Sequence, residues 1–354
     1  MVSLEELLQL LVQRGGSDLH IAAGSPPRLR VDGLLKPTEF DSLTKEESQK
    51  LVYGVLAEDQ IAKFERDLEL DFSFGVDNLG RFRTNVFLQR GSVGAVFRLV
   101  PHAVRGFDDL GLPRKVCQEL CDQPRGLVLV TGSTGSGKST TLAAMIDHIN
   151  TIRNYHVITV EDPIEFVHKN KNCLINQREI GTDTHGFKES LRHVLRQDPD
   201  VVLIGEMRDM ETIEAALTIS ETGHLTLATL HTSDAVQTIN RIIDVFPMGQ
   251  QQQVRTQLSF VLNAIFCQQL IAKSNGKGRV LTSEILLANS AVRSLIRENK
   301  AHQIYSIIQV SGKTGMKTMN QSLYEVYKAG HLTFEDAVQY SSDVDDLKKT
   351  FQRG

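Results

Sequence analysis

The run Gly132-Ser133-Thr134-Gly135-Ser136-Gly137-Lys138-Ser139 stands directly behind an apolar stretch, residues 127–131, and opens a segment of helical character. A G-x-x-x-x-G-K-S pattern between strand and helix constrains the chain more than any other feature, because it fixes a fold element and a chemistry together. Glycines let backbone N–H groups turn inward around phosphate oxygens, and the helix that follows points its positive end at the anion. Lys138 supplies charge to the β- and γ-phosphates, and the Ser139 hydroxyl is a Mg²⁺ ligand. The expected nucleotide-binding set is Gly132, Ser133, Thr134, Gly135, Ser136, Gly137, Lys138, Ser139 and Thr140, with ATP and Mg²⁺ as cofactors.

Such a loop needs a sheet to hold it. Apolar runs at 127–131, 156–160, 201–204 and 225–230 are separated by stretches long enough for crossover helices. That alternation predicts a parallel α/β sheet. Ligands of such sheets lie beyond the carboxyl ends of the strands. Glu161 ends the second run, Glu206 follows the third and His231 follows the fourth, so all three are expected to converge on the loop. Hydrolysis requires a group that orients or deprotonates the attacking water. Glu206, behind Asp200-Val-Val-Leu-Ile-Gly205, is assigned as the catalytic base or a ligand of a Mg²⁺-bound water, with Glu161 supporting it. His231 is assigned to sensing the phosphate or a neighbouring subunit, while His224, at the other end of its strand, reads equally well as structural. Phosphoryl transfer also calls for a cation, often an arginine supplied in trans. Arg81, Arg83 and Arg98, on β-patterned segments of the first hundred residues, are the candidates.

That first region reads differently. Leu4, Leu7, Leu8 and Leu11 recur at helical spacing before Gly15-Gly16, and a second helix is expected after Thr44, where Glu47 completes a capping box. Short strands are predicted at 18–21, 28–31 and 34–36, the last two joined through Asp32-Gly33. Further strands are predicted at 71–76, 81–88 and 93–100, the first two of these separated by Asp77-Asn78-Leu79-Gly80. The expectation is a small α+β domain over residues 1–100, a linker over 101–113 and an ATPase domain over 114–354 that is helical beyond about residue 285.

Bulk properties narrow the classes. Hydrophobic residues at 41% and charged residues at 23% describe an ordinary folded chain. A net charge of -4 and the lack of tryptophan argue against a nucleic-acid motor, which needs a basic, aromatic-bearing channel. No apolar run approaches the roughly 20 residues of a membrane span. The opening segment carries Glu5 and Glu6 where a signal peptide has basic residues. Cys117, Cys121, Cys173 and Cys267 form no C-x-x-C pair, so reduced cytoplasmic thiols are expected in place of a zinc module.

With these residues in view, the chain closely resembles the PilT family of type IV pilus retraction ATPases. Besides GSTGSGKSTT, the segments ITVEDPIEFVH at 158–168, DPDVVLIGEMRD at 198–209 and TGHLTLATLHT at 222–232 are similar to that family's aspartate box, Walker B and histidine box. SDLHIAAGSPPRLRVDG at 17–33 and GRFRTNVF at 80–87 resemble its PAS-like domain and arginine-bearing strands. The run 291–296 resembles its AIRNLI segment but departs at Val292 and Ser294, and Ser133 stands where proline is common. The resemblance implies a RecA-like P-loop core preceded by a PAS-like α+β domain. It further implies a homohexamer at the cytoplasmic face of the inner membrane and a membrane platform protein as partner, with Arg81, Arg83 and Arg98 completing the nucleotide site. Alternatives are an accessory ATPase of the PilU kind and an assembly ATPase of pili or type II secretion. A nucleotide-binding scaffold without turnover is another.

Overall fold

The computed structural model describes residues 2–353 other than Asp32, Asn78 and 101–103. Half of the expected Asp32-Gly33 turn, Asn78 of the 77–80 turn and the first three residues of the expected linker therefore lie outside the described residues. By its contacts the chain divides into two compact units, residues 1–103 with 165–167, and residues 104–164 with 168–354.

The first unit is built on six antiparallel strands: β1 (Asp18–Ile21), β2 (Arg28–Val31), β3 (Leu34–Pro37), β4 (Glu69–Val76), β5 (Gly80–Gln89) and β6 (Ser92–Val100), in the order β3-β2-β1-β6-β5-β4. Alternation sends Leu19, Leu29, Phe82, Val86 and Phe97 to one face, where they form a buried core with Leu7, Leu8 and Leu11. The helix Leu4–Gln13 starts with a Ser3–Glu6 capping box and the helix Lys45–Tyr53 with the Thr44–Glu47 box. A third helix, Glu58–Asp67, was not legible in the sequence: Ala57 offers no side-chain cap and Phe64 alone is buried.

The second unit carries β7 (Gly126–Thr131), β8 (His156–Glu161), β9 (Leu174–Glu179), β10 (Val201–Ile204), β11 (Leu225–Leu230), β12 (Leu262–Ala272) and β13 (Arg279–Leu287), ordered β13-β12-β7-β11-β10-β8-β9. All pairings are parallel except the β12–β13 hairpin. This is the mixed α/β architecture expected, a parallel sheet in one unit and a separate antiparallel sheet in the other. Every residue of β7, β10 and β11 is buried because helices cover both faces. Leu127 and Leu129 pack with Ile213, Ile239 and Leu258 on one side, and Val128 and Val130 pack with Leu142, Ile146 and Leu120 on the other. Each such side chain taken out of water contributes about 1.5–3 kcal/mol.

Within the segment expected to be a linker, Phe107 and Leu112 are buried in this second core, and the Phe107 ring lies 5.4 Å from His148. The predicted helical region starts later than residue 285, since β13 runs to Leu287 and the next helix is Ser290–Arg297. On that helix Val292 and Ile296 are buried, and Arg293 donates to the carbonyls of Ser259 and Phe260 at 2.6 and 2.7 Å. Arg293 thereby satisfies orphan acceptors at the end of the helix Met248–Val261.

Candidate active site

β7 ends at Thr131 and hands the chain to the glycine-rich loop. Gly132 has φ +137°, and a Cβ there would fall 2.3 Å from the Gln268 carbonyl oxygen and 2.6 Å from Ser136 Oγ, so the turn accepts glycine alone. Gly137, also at positive φ, leads into the helix Lys138–Ile152. The crest formed by Ser133, Thr134 and Gly135 is exposed, as is Ser139, while Thr140 is half-buried. Beneath the crest Lys138, 9% exposed, donates from Nζ to the carbonyls of Gly132 at 2.8 Å and Ser133 at 3.0 Å. Burial lowers its pKa, and the nearby Glu206 charge offsets only part of that fall. Ser136 Oγ is buried with no partner among the described residues, an acceptor and donor aimed into the loop. Thr141 and the side-chain amide of Gln268, bonded at 2.8 Å, tie the helix to β12.

Two strands along the sheet, Glu206 follows β10. Its Oε2 accepts from Arg208 at 2.8 Å and its Oε1 lies 3.2 Å from His231 Nε2, which follows β11. Burial opposes ionisation of Glu206, but the Arg208 hydrogen bond and charge and the His231 contact outweigh it and hold the carboxyl below the usual range. The turn beneath is fixed by Thr229 Oγ1 donating to the Gly205 carbonyl at 2.5 Å and by Met207 N donating to the Thr229 carbonyl at 3.0 Å. Gly205 also bonds the Val160 carbonyl through its N–H, and a Cβ there would sit 3.1 Å from Glu161 Cα. Glu161, at the end of β8, accepts from Thr159 Oγ1 at 2.6 Å and Gln177 Nε2 at 3.2 Å.

The parallel order β7-β11-β10-β8 thus lines up the loop, His231, Glu206 and Glu161 along one sheet edge. Arg208, Thr229 and Gln268 join them without having been singled out in the sequence; only the two-residue offset of Arg208 from Glu206 was a signal. His224, at the opposite end of β11, bonds Ile219 and Thr222 in the preceding turn. All four cysteines are free and buried. Arg81 and Arg83 lie on β5 and Arg98 on β6, in the first unit. Arg83 is 3.7 Å from Glu165 within that unit, and Arg98 Nε donates to Asp18 at 2.8 Å.

Residues 3–339 match the Type II/IV secretion system protein family. The chain belongs to that family. Among relatives of this chain, the type IV pilus retraction ATPase PilT of Pseudomonas aeruginosa is 48% identical over 95% of this chain and 97% of its own. A twitching motility protein of Neisseria gonorrhoeae is 48% identical over 92% and 87%, and the type IV pilus ATPase PilU of Pseudomonas aeruginosa is 41% identical over 100% and 92%. A crystal structure of the pilus retraction motor PilT with bound ADP superposes with a TM-score of 0.92 at 51% identity, covering 99% of this chain and all of that one.

The donor set suits a Mg²⁺-nucleotide. Mg²⁺ takes few protein ligands and keeps several waters and phosphate oxygens; an exposed Ser139 hydroxyl at the helix start and an ionised Glu206 carboxylate are oxygen donors of that kind. Among the described residues no helix is long and apolar enough to cross a membrane.

Proposed function

We propose that this secretion-family protein is a Mg²⁺-dependent ATPase that retracts a type IV pilus and drives twitching motility. The observation that carries the catalytic reading is an ionised Glu206, held by Arg208 and His231 two strands from the loop whose Lys138 feels its charge. The likeness to PilT over nearly the whole of both chains supports the direction of force.

The loop from Gly132 to Thr140 cradles the phosphates, and Lys138 turns from the loop carbonyls to the β- and γ-oxygens. Ser139 and Glu206 would hold Mg²⁺, which would supply positive charge to the transferred phosphoryl group. Glu206 orients the attacking water or takes its proton, a role worth about 10²–10⁴-fold in rate. Glu161 supports it from the neighbouring strand end, and His231 reports phosphate occupancy to the turn. Arg81, Arg83 and Arg98 supply the remaining cation, for which an arginine contributes about 10³–10⁵-fold. Residues 1–100 act as a PAS-like domain and 114–354 as the motor core, joined by the linker 101–113, whose Phe107 and Leu112 pack into the second core. Six copies form the ring at the cytoplasmic face of the inner membrane. The ring engages a membrane platform protein, works beside a PilU-like accessory ATPase and contacts neither nucleic acid nor the bilayer interior.

Phosphate release by the purified protein with Mg²⁺ and with EDTA tests the chemistry: turnover requires the metal and is abolished by Lys138→Ala and Glu206→Ala. Wild-type turnover by Glu206→Ala moves the base assignment to Glu161. Deleting the gene tests the direction, with surplus surface pili and no twitching expected. Bald cells would mean assembly.

A further inference from the structure

Asp18 is a buried carboxylate, 3% exposed, that no role above uses. It lies in a cross-strand row that runs Arg30 on β2, Asp18 on β1, Arg98 on β6 and Arg83 on β5. Residues directly opposite one another in antiparallel strands share a face, and alternation puts Arg28 and Arg81, two positions from Arg30 and Arg83, on that same face. The other face holds Leu19, Leu29, Phe82 and Phe97 of the core. One side of this sheet therefore gathers the guanidinium groups of Arg28, Arg30, Arg81, Arg83 and Arg98, and on β1, β2, β5 and β6 Asp18 is its one carboxylate. His20 is the remaining titratable group of those strands there; on β4, Asp71 bonds Asn85 at 3.2 Å.

The bonding of Asp18 is selective. Oδ1 accepts from Arg98 Nε at 2.8 Å, Oδ2 accepts from Ser17 Oγ at 2.7 Å, and Arg30 Nε stands 3.7 Å from Oδ2. Burial resists ionisation of the carboxyl, yet Ser17 and Arg98 hold its pKa below the ordinary value. Arg98 is fastened through Nε, so among the described residues its two terminal amino groups make no hydrogen bond, and its side chain remains 62% exposed. A guanidinium anchored at Nε presents a two-pronged donor matched to two phosphate oxygens. A buried acid is costly to keep for sheet stability alone, since an apolar replacement is often neutral or better.

We propose that Asp18 is a positioning residue that holds Arg98 by its Nε so that the terminal amino groups grip a phosphate of nucleotide carried by another copy of the chain, with Arg30 as an additional cation of the same face. This rests on the reading that Arg98 acts on the phosphate, and the test separates the two. Steady-state kcat and KM for ATP, together with thermal unfolding, are measured for Asp18→Asn, Arg98→Ala, the double variant and Arg98→Lys. Asp18→Asn is expected to lower kcat about 10- to 100-fold, the scale of a misplaced catalytic group. It changes nothing further in the Arg98→Ala background, the coupling expected of a pair acting as one unit. Arg98→Lys, which keeps the charge and loses the Nε anchor, falls to the Arg98→Ala level, and this arm stands even if Asp18→Asn fails to fold. Arg98→Ala at the parental rate removes the arginine's role and this inference with it. A slow Arg98→Ala beside a fast Asp18→Asn or Arg98→Lys removes the positioning role alone. Losses that simply multiply in the double variant, with a lowered unfolding midpoint, reduce Asp18 to a structural acid.

Discussion

Glu206 illustrates how single side chains here set one another's chemistry. A half-buried carboxylate would ordinarily gain a proton more readily than a free one, and Arg208 with His231 reverse that. A base of this kind works above its pKa and fails as pH falls through it. The acid limb of kcat in the parent protein is therefore expected below the ordinary carboxylate range. Arg208→Ala removes the largest opposing contact, and its acid limb should move upward; a pH–rate profile that is unmoved would detach Arg208 from the site. At Gly132 the constraint is steric. Because the atom in the way is the Gln268 backbone carbonyl and not a flexible side-chain end, Gly132→Ala must displace β12 or the loop. Affinity for a fluorescent ADP analogue is expected to drop by at least about tenfold, equivalent to roughly 1.4 kcal/mol. The glycines and Lys138 were legible because their types are dictated by local backbone and charge. Gln268 was not, for it reaches Thr141 across 127 positions of sequence, a pairing that only the fold creates.

Elements were legible where burial writes a pattern. β7, β10 and β11 are wholly apolar or nearly so because both faces are covered, and their runs stood out. β9, with Asn176, Gln177 and Arg178, lies at the sheet edge and keeps no such run. β12 carries Gln268 and Gln269 in mid-strand, and β13 carries Thr282, Ser283 and Glu284, so polar residues broke both patterns although Gln268 and Glu284 are buried. Glu284 explains its own exception. Its carboxylate accepts from the N–H of Ala235 at 2.9 Å, anchoring the start of the helix Ala235–Asp244 that follows His231. Burial pushes its pKa up to about 7 from an ordinary 4.5, with Ala235 pulling it down and Asp234 adding to the rise. The folded state thus binds this proton more tightly than the unfolded chain. The resulting stability is complete below about pH 4.5 and is lost as pH rises toward 7, a span worth on the order of 3 kcal/mol. Glu284→Gln keeps an acceptor for Ala235 without a proton to lose. Its denaturant midpoint should fall less than the parent's between pH 5 and 7.5, and parallel pH curves for the two proteins would show that Glu284 does not titrate there.

At the scale of the whole molecule, the loop and its carboxylates belong to one unit and the arginine-bearing face to the other. A motor that needs both can draw them from a single copy or from two. Subunit mixing distinguishes these. Lys138→Ala copies cannot use their own loop but retain Arg81, Arg83 and Arg98; Arg98→Ala copies retain the loop and lack one cation. Each variant alone should turn over slowly or not at all. If arginines act between copies, a mixed ring contains junctions where an intact loop meets an intact Arg98, and phosphate release by the mixture should exceed the sum of its parts, peaking near equal proportions. Native mass spectrometry on the same samples should find particles of six chains containing both variants. Mixed rings with no gain at any proportion would place loop and arginine in one copy. The grip of Arg98 on phosphate would then be an internal contact, and ring formation would serve force transmission instead of completing the chemistry.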